Sequence, residues 1–201
     1  MEYIAQCGDI FLTNSDKTGA KIVKFLQQAP TLWQWIYRQI KGTQEPVRYY
    51  HAGMVLSSKQ IIEQQWEVQF GQTADILNKD VIIYRYKEND KNIIYSDKIA
   101  KIDRVGRIKE VVKSRAIEDL GKIYDIPQLI GKTLTWLTGI KWFVRFLGGL
   151  SKEEEICVTR ITEWYDNICE FGVPTNSEIT TKIIDEYCQA HPEEWEIVYI
   201  H

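Results

Sequence analysis

The stretch from residue 49 to residue 86 constrains the fold most, because short apolar runs alternate there with short polar turns. Residues 49–56 and 60–68 have the composition of strands, and only the turn at 57–59 separates them. A connection this short joins two strands as an antiparallel hairpin. Residues 81–86 are rich in β-branched side chains, which predicts a third strand. The sequence therefore predicts a mainly antiparallel sheet.

Helical segments surround these strands. Apolar side chains recur there at the three- and four-residue spacing of a buried helix face. Mixed strands and helices in this order predict an α+β class. Two of the segments are predicted to be helical insertions, at about 18–42, where Pro30 divides two helices, and at about 127–150, where glycines interrupt an aromatic run. The other predicted helices are 109–120, 157–170 and 177–190, and short strands are predicted at 8–12 and 195–200.

Length and composition predict one folded domain over residues 1–201. Hydrophobic residues make up 44% of the chain and charged residues 26%, a balance typical of globular proteins. Net charge is −3, although residues 85–115 carry an excess of Lys and Arg. Acidic residues are interspersed in that stretch, which favours a solvated face. We therefore expect no nucleic-acid partner.

The cysteines and histidines limit the chemistry. Four cysteines include no CxxC pair, and only three histidines are present, so the sequence predicts no metal site and no cofactor. The first residues lack a basic segment followed by an apolar run, which predicts no secretory signal. No run of about 18 apolar residues predicts a transmembrane helix. The expectation is a cytoplasmic protein with free thiols.

Cys157 and His51 are the candidate nucleophile and base. Cys157 stands near the start of a predicted helix, where the helix dipole favours a thiolate and free N–H groups face a reacting carbonyl. His51 lies within a predicted strand that would hold its ring rigidly, and Gly53 leaves room beside it. A base also needs a polar group that orients it.

Two neighbouring residues compete for that orienting role. Glu63 lies on the next predicted strand and its carboxylate could select the tautomer of His51. If the hairpin closed tightly about Ser58 and Lys59, however, Gln64 would share the face of His51. Glu63 reaches that face only with an odd loop or a bulge. Glu63 is the first candidate and Gln64 the reserve.

The order of the motifs resembles the permuted NlpC-type papain-like cysteine peptidases. The group that is most similar is YiiX/YaeF-like, with lecithin retinol acyltransferase as a distant relation. The resemblance spans roughly residues 7–200 and each motif in it is short. In that family the strand with the histidine precedes the helix with the cysteine. The matching motifs, in chain order, are Gly8-Asp9-Ile10, His51-Ala52-Gly53-Met54-Val55-Leu56, Ile61-Ile62-Glu63, Gly121-Lys122-Ile123-Tyr124-Asp125 and Cys157.

The resemblance implies a permuted papain-like fold, with the sheet packed against the helix that bears Cys157. It implies that His51 is the base, Glu63 the orienting residue and Cys157 the nucleophile. Tyr124 matches a family tyrosine close to the nucleophile and would assist at the oxyanion. The Gly8-Asp9-Ile10 strand would be structural or lie at the rim of the site.

The chain also departs from the family pattern. Family members often carry Ser and then an acidic residue directly after the cysteine, whereas Val158-Thr159-Arg160 stand here. This departure leaves the substrate class open. A cysteine hydrolase acting on an amide bond, such as a cell-wall peptide, is the first hypothesis.

Two alternatives come from other functional classes. One is a thioesterase or acyltransferase that uses the aromatic segment 129–147 as an acyl groove, so contact with a membrane stays open. The other is a non-catalytic binding module that keeps the fold. The sequence predicts a peptide, amide or acyl partner and does not indicate the oligomeric state.

Overall fold

The structure is a computed structural model, and its fold is an antiparallel sheet with helices on both faces. It describes residues 3–14, 49, 51–65, 67–87, 107–123, 157–166, 168–169, 171 and 181–201, with single residues at 131, 134, 138, 140, 142 and 146. The predicted insertion at 18–42 lies outside the described residues, and most of the insertion at 127–150 does too.

Six strands form one sheet in the part of the chain that is described. Their order across the sheet is β4-β3-β2-β1-β5-β6, and every neighbouring pair is antiparallel. The mainly antiparallel sheet and the α+β class are thus confirmed. The strands are β1 (Ile10–Thr13), β2 (His51–Val55), β3 (Gln60–Gln64), β4 (Val68–Gln72), β5 (Val81–Tyr86) and β6 (Trp195–Ile200).

In the part of the chain that is described, four helices with defined bounds cover the two faces of this sheet. On one face, buried side chains of three helices join those of alternate strand residues such as Met54 and Ile82. The opposite face carries a smaller apolar cluster around Phe11, to which the remaining short helix contributes Ile76. None of the helices among the described residues is long and apolar enough to cross a membrane. The helices are α1 (Thr73–Leu77), α2 (Arg107–Glu118), α3 (Cys157–Trp164) and α4 (Thr181–Ala190), and α1 is the short one.

The prediction of a single strand over residues 60–68 is wrong. The chain turns after Gln64, where the backbone N–H of Gln65 donates to the carbonyl of Glu67 at 3.1 Å. It then returns as β4, with Gln64 opposite Val68. Apolar residues recur on both sides of the turn without a glycine or proline between them, so the pattern alone predicted one strand. The sequence analysis also missed α1, whose five residues are too few to show a helical period.

Candidate active site

The hairpin that joins β2 to β3 determines which residue reaches His51. The backbone N–H groups of Leu56 and Ser57 both donate to the carbonyl of Gln60, at 2.9 and 3.0 Å. The Ser57 hydroxyl accepts the backbone N–H groups of Lys59 and Gln60, at 3.2 and 3.1 Å. The loop therefore contains three residues, 57–59, an odd number.

An odd loop sets the register that brings Glu63 to the face of His51. Gly53 lies opposite Glu63, and Val55 lies opposite Ile61. Because side chains alternate along a strand, Glu63 projects from the same face as Gly53 and His51. The tight closure that would have placed Gln64 there does not occur.

A hydrogen bond joins His51 to Glu63. His51 Nε2 donates to Glu63 Oε2 over 2.7 Å, and the two side chains are only 14% and 13% exposed. A carboxylate on Nε2 leaves Nδ1 as the ring nitrogen that can face a nucleophile. The carboxylate thus fixes both the orientation of the imidazole and its tautomer.

Cys157 approaches His51 from the first turn of α3. Residues of α3 pack next to Met54, on the face of the sheet that α2, α3 and α4 cover. His51 shares the opposite face with Phe11, whose ring centroid lies 6.3 Å from the centroid of the imidazole. The Cys157 side chain interacts with the imidazole of His51 by a hydrogen bond and by charge, so α3 presents its thiol to the ring.

The electrostatics favour a charged imidazole. Burial lowers the pKa of His51, but hydrogen bonds and charge interactions with Cys157 and Glu63 outweigh it and raise the pKa to about 10. Burial raises the pKa of Glu63, but the bond to His51 and further interactions with Gln65 and Lys79 lower it to about 2. At neutral pH the pair is therefore an imidazolium and a carboxylate, and the cation lies beside the thiol.

Gln64, the reserve candidate, does not contact the imidazole. Its side chain is buried on the face of the sheet that α2, α3 and α4 cover. Its amide nitrogen donates to the carbonyl of Ile123 at 3.2 Å. Ile123 also forms an isolated antiparallel bridge with Glu67. The reason is register, since β3 residues of even number face away from His51. Gln64 instead holds the chain immediately before Tyr124, and Tyr124 itself lies outside the described residues.

Gly53 makes room for an aromatic ring rather than directly for the imidazole. A Cβ atom at Gly53 would lie 2.4 Å from Cζ of Phe11 and 2.8 Å from the carbonyl oxygen of Ile62. The Phe11 ring therefore crosses β2 at Gly53 and lies next to His51. Glycine at position 53 lets this ring pack there.

Arg160 anchors α3. Its guanidinium group is 3% exposed and lies 3.0 Å from Glu163 Oε2 and 3.5 Å from Asp119 Oδ2. Asp119 also accepts the indole N–H of Trp164 at 2.8 Å. These contacts join the end of α2 to α3. Arg160 therefore has a structural role in holding the helix that begins with Cys157.

The Gly8-Asp9-Ile10 motif lies at the other end of the sheet. Thr13 of β1 is opposite His51, and Ile10 is opposite Met54. Asp9 is thus four residues along β1 from the site, roughly 14 Å at the rise of a strand. Asp9 is fully buried and accepts bonds from Arg85 Nε at 2.7 Å and from the Tyr3 hydroxyl at 2.7 Å. Of the two expected roles, the structure supports the structural one.

Sequence analysis missed Gln65. Its side-chain amide donates to Glu63 Oε1 at 2.5 Å, so both oxygens of Glu63 are engaged. The signal was present, because residues two apart on a strand project from the same face.

Of the other cysteines, Cys169 and Cys188 are core residues, and Cys7 is half-buried against the core. Burial is the main cause that raises the pKa of Cys169 to about 11, and it also raises that of Cys188 and of Cys7. No group of three His, Cys, Asp or Glu side chains among the described residues could hold a metal ion.

The chain is similar in structure to a solved protein. No family model matches the chain, and no curated protein matches it. The solved structure of metalloprotein yiiX from Escherichia coli O157:H7, DUF1105, is similar to it at 16% sequence identity with a TM-score of 0.46. The similarity covers 98% of this chain and 90% of that chain.

Proposed function

We propose that the chain is a cysteine hydrolase that cleaves an amide bond, with Cys157 as nucleophile, His51 as base and Glu63 as the residue that orients His51. One observation carries this proposal. A buried imidazole is bonded through Nε2 to a carboxylate and interacts with the thiol of Cys157 on α3. A base oriented in this way and a thiol within its reach are what nucleophilic catalysis requires.

The reaction would proceed in two steps. The Cys157 thiolate attacks the carbonyl carbon of the amide, and the C–N bond breaks as His51 gives its Nδ1 proton to the leaving amine. Water then attacks the thioester while His51 accepts its proton, and the acid product and the thiolate are released. N–H groups at the start of α3 would stabilise the oxyanion, assisted by Tyr124 as the family resemblance implies.

The permuted papain-like arrangement belongs to the same proposal. The histidine strand β2 precedes the cysteine helix α3 in the chain, and α3 packs against the sheet that carries His51. This order of elements agrees with the family that the sequence resembles.

Trapping of an acyl-enzyme tests the function. The protein is incubated with a panel of small peptide amides, including cell-wall peptides, and digested for mass spectrometry. We expect an acyl adduct on Cys157 that is absent from Cys157→Ala and that fails to form in His51→Ala. Cys169→Ala is the matched control and should retain the adduct. Adduct formation that survives His51→Ala would contradict the proposed base.

A second candidate function has one observation in its favour. Trp142 and Phe146 are 57% and 51% exposed, and their rings stack with centroids 4.7 Å apart. Exposed aromatic side chains of this kind suit a lipid-like acyl group. With such a substrate, Cys157, His51 and Glu63 would act as a thioesterase or acyltransferase. Acyl thioesters in the same trapping assay decide between the two. Adducts from acyl thioesters and none from amides would favour this candidate.

A non-catalytic binding module predicts a third result. In that case neither amides nor thioesters leave an adduct on Cys157 of the folded protein. Circular dichroism of the same samples would show that the protein is folded.

A further inference from the structure

Glu63 is held from two sides. Its Oε2 accepts from His51 at 2.7 Å, and its Oε1 accepts from the amide of Gln65 at 2.5 Å. A carboxylate with one bond could rotate about its terminal torsion, which has only broad minima. With both oxygens engaged, the carboxylate plane is fixed relative to the imidazole. Gln65 is therefore placed to control the geometry of the Glu63–His51 bond.

The backbone explains why Gln65 can do this. Gln65 follows β3 directly, and two residues along a strand return a side chain to the same face as Glu63. Its backbone N–H donates to the carbonyl of Glu67, which fixes the turn into β4. The amide is thus presented by a fixed turn at the end of the sheet where His51 lies.

We propose that Gln65 is a positioning residue of the candidate site, which holds Glu63 in the orientation that stabilises the imidazolium form of His51. A contribution of Gln65 to catalysis rests on the proposed function. The effect on His51 is independent of any substrate. Gln65 acts through Glu63, and the amide interaction favours the ionised carboxylate of Glu63.

Without the Gln65 amide, the imidazolium form of His51 should therefore be less stable relative to the neutral form. In Gln65→Leu the side chain keeps its size but loses the donor, so Glu63 turns away from Nε2 for part of the time. We expect the pKa of His51 to fall by about one, a tenfold change in its ionisation equilibrium. A role limited to the turn would lower the stability of the protein and leave this pKa unchanged.

The experiment is an NMR titration of the His51 imidazole in the full-length protein, with Gln65→Ala as a second variant and Gln60→Leu as the matched control. Gln60 is exposed at the other end of β3, so the same substitution there should leave the His51 titration as in the wild type. Thermal unfolding checks that each variant is folded at the temperature of measurement. A His51 titration in both Gln65 variants that superimposes on the wild type would overturn the inference.

The outcome is separable from that of the proposed function. Iodoacetamide serves as the probe for Cys157 in the same variants. If Cys157 reacts no faster than Cys169 in the wild type, the proposed function fails, while the His51 titration still decides the role of Gln65. If both effects occur, the step in the pH profile of Cys157 alkylation that follows the His51 titration should lie about one pH unit lower in Gln65→Leu, and it should be unchanged in Gln60→Leu.

Discussion

His51 and Glu63 form a pair whose two members are mutually dependent. Each side chain is largely buried, and burial alone would favour the neutral form of both. Their hydrogen bond reverses this, because the charge of each compensates for the lost hydration of the other. Removing one partner would leave the other as a buried charge without its compensation, so single substitutions at this pair should affect stability as well as chemistry.

The first prediction concerns the pH dependence of stability. The pKa of His51 is raised from 6.5 to about 10, so its contribution is full below pH 6.5 and is lost as the pH rises towards 10. The pKa of Glu63 is lowered from 4.5 to about 2, so its contribution is full above pH 4.5 and is lost as the pH falls towards 2. Both contributions are present together between about pH 4.5 and 6.5.

Urea unfolding at a series of pH values measures this effect. The free energy of unfolding of the wild type should exceed that of His51→Gln most between about pH 4.5 and 6.5, and the difference should shrink on both sides. His201→Gln, a substitution at the exposed last residue, is the control and should follow the wild type throughout. A difference that is constant from pH 3 to pH 10 would contradict the assigned pair.

At the scale of elements, the β2–β3–β4 meander gives the three consecutive residues 63–65 different hydrogen-bond partners. Glu63 bonds to His51, Gln64 turns to the other face and holds Ile123, and Gln65 returns to hold Glu63. This division follows from strand alternation once the register is known. The register depends on the three-residue loop that Ser57 stabilises with its hydroxyl.

The sequence was informative about the strands and uninformative about their ends. Short apolar runs between polar turns predicted β2 and the first part of β3, and β-branched side chains predicted β5. It could not distinguish Glu63 from Gln64, since one residue in a loop reverses the faces of everything that follows. It also merged β3 with β4, because the turn at Gln65 lacks the Gly, Pro or Asn that punctuates most hairpins.

The second prediction tests the packing between β1 and β2. The methyl group of Gly53→Ala would clash with the ring of Phe11 and with the backbone carbonyl oxygen of Ile62, and because the backbone cannot yield easily, the ring must move. We expect a loss of about 2 kcal/mol in the free energy of unfolding and slower alkylation of Cys157, because the displaced ring lies next to His51. Urea unfolding and iodoacetamide kinetics measure the two effects.

Gly71→Ala is the matched control for that substitution. A Cβ atom at Gly71 would lie 3.0 Å from Cγ1 of Ile61, a side-chain atom, so the neighbour can yield. The loss of stability should be smaller than in Gly53→Ala. If the two variants lose the same stability and Cys157 reacts at the wild-type rate in both, Gly53 has no special role.

At the scale of the whole molecule, the two ends of the sheet have separate roles. The candidate site lies where β2 begins, whereas the buried Asp9–Arg85 ion pair lies at the other end of β1. The salt bridge connects the start of β1 to β5. Arg85 also donates to the carbonyl of Ile4, which holds the residues that precede β1. The Asp9–Arg85 ion pair is thus separate from the groups that would perform the chemistry.

The third prediction separates these two ends. Asp9→Asn leaves the guanidinium of Arg85 without its anionic partner, and we expect a loss of about 3 kcal/mol in the free energy of unfolding. In the protein that remains folded, Cys157 should react with iodoacetamide within about twofold of the wild-type rate, since the site is roughly 14 Å away. Asp75→Asn, at an exposed residue of α1, should change neither quantity. A large drop in Cys157 reactivity with Asp9→Asn would contradict this separation and would show that the Gly8-Asp9-Ile10 motif acts on the candidate site.

The pairing of Cys157 with His51 is tested most directly by the rate at which iodoacetamide alkylates each cysteine as a function of pH, read by peptide mass spectrometry. Cys169 is the internal standard, because burial raises its pKa to about 11 and should keep it slow at neutral pH. We predict that Cys157 reacts about a hundredfold faster than Cys169 at pH 7, and that His51→Ala removes most of this difference while Gln60→Leu preserves it. Equal rates for the two cysteines in the folded wild type, or a Cys157 rate that His51→Ala does not change, would contradict the account.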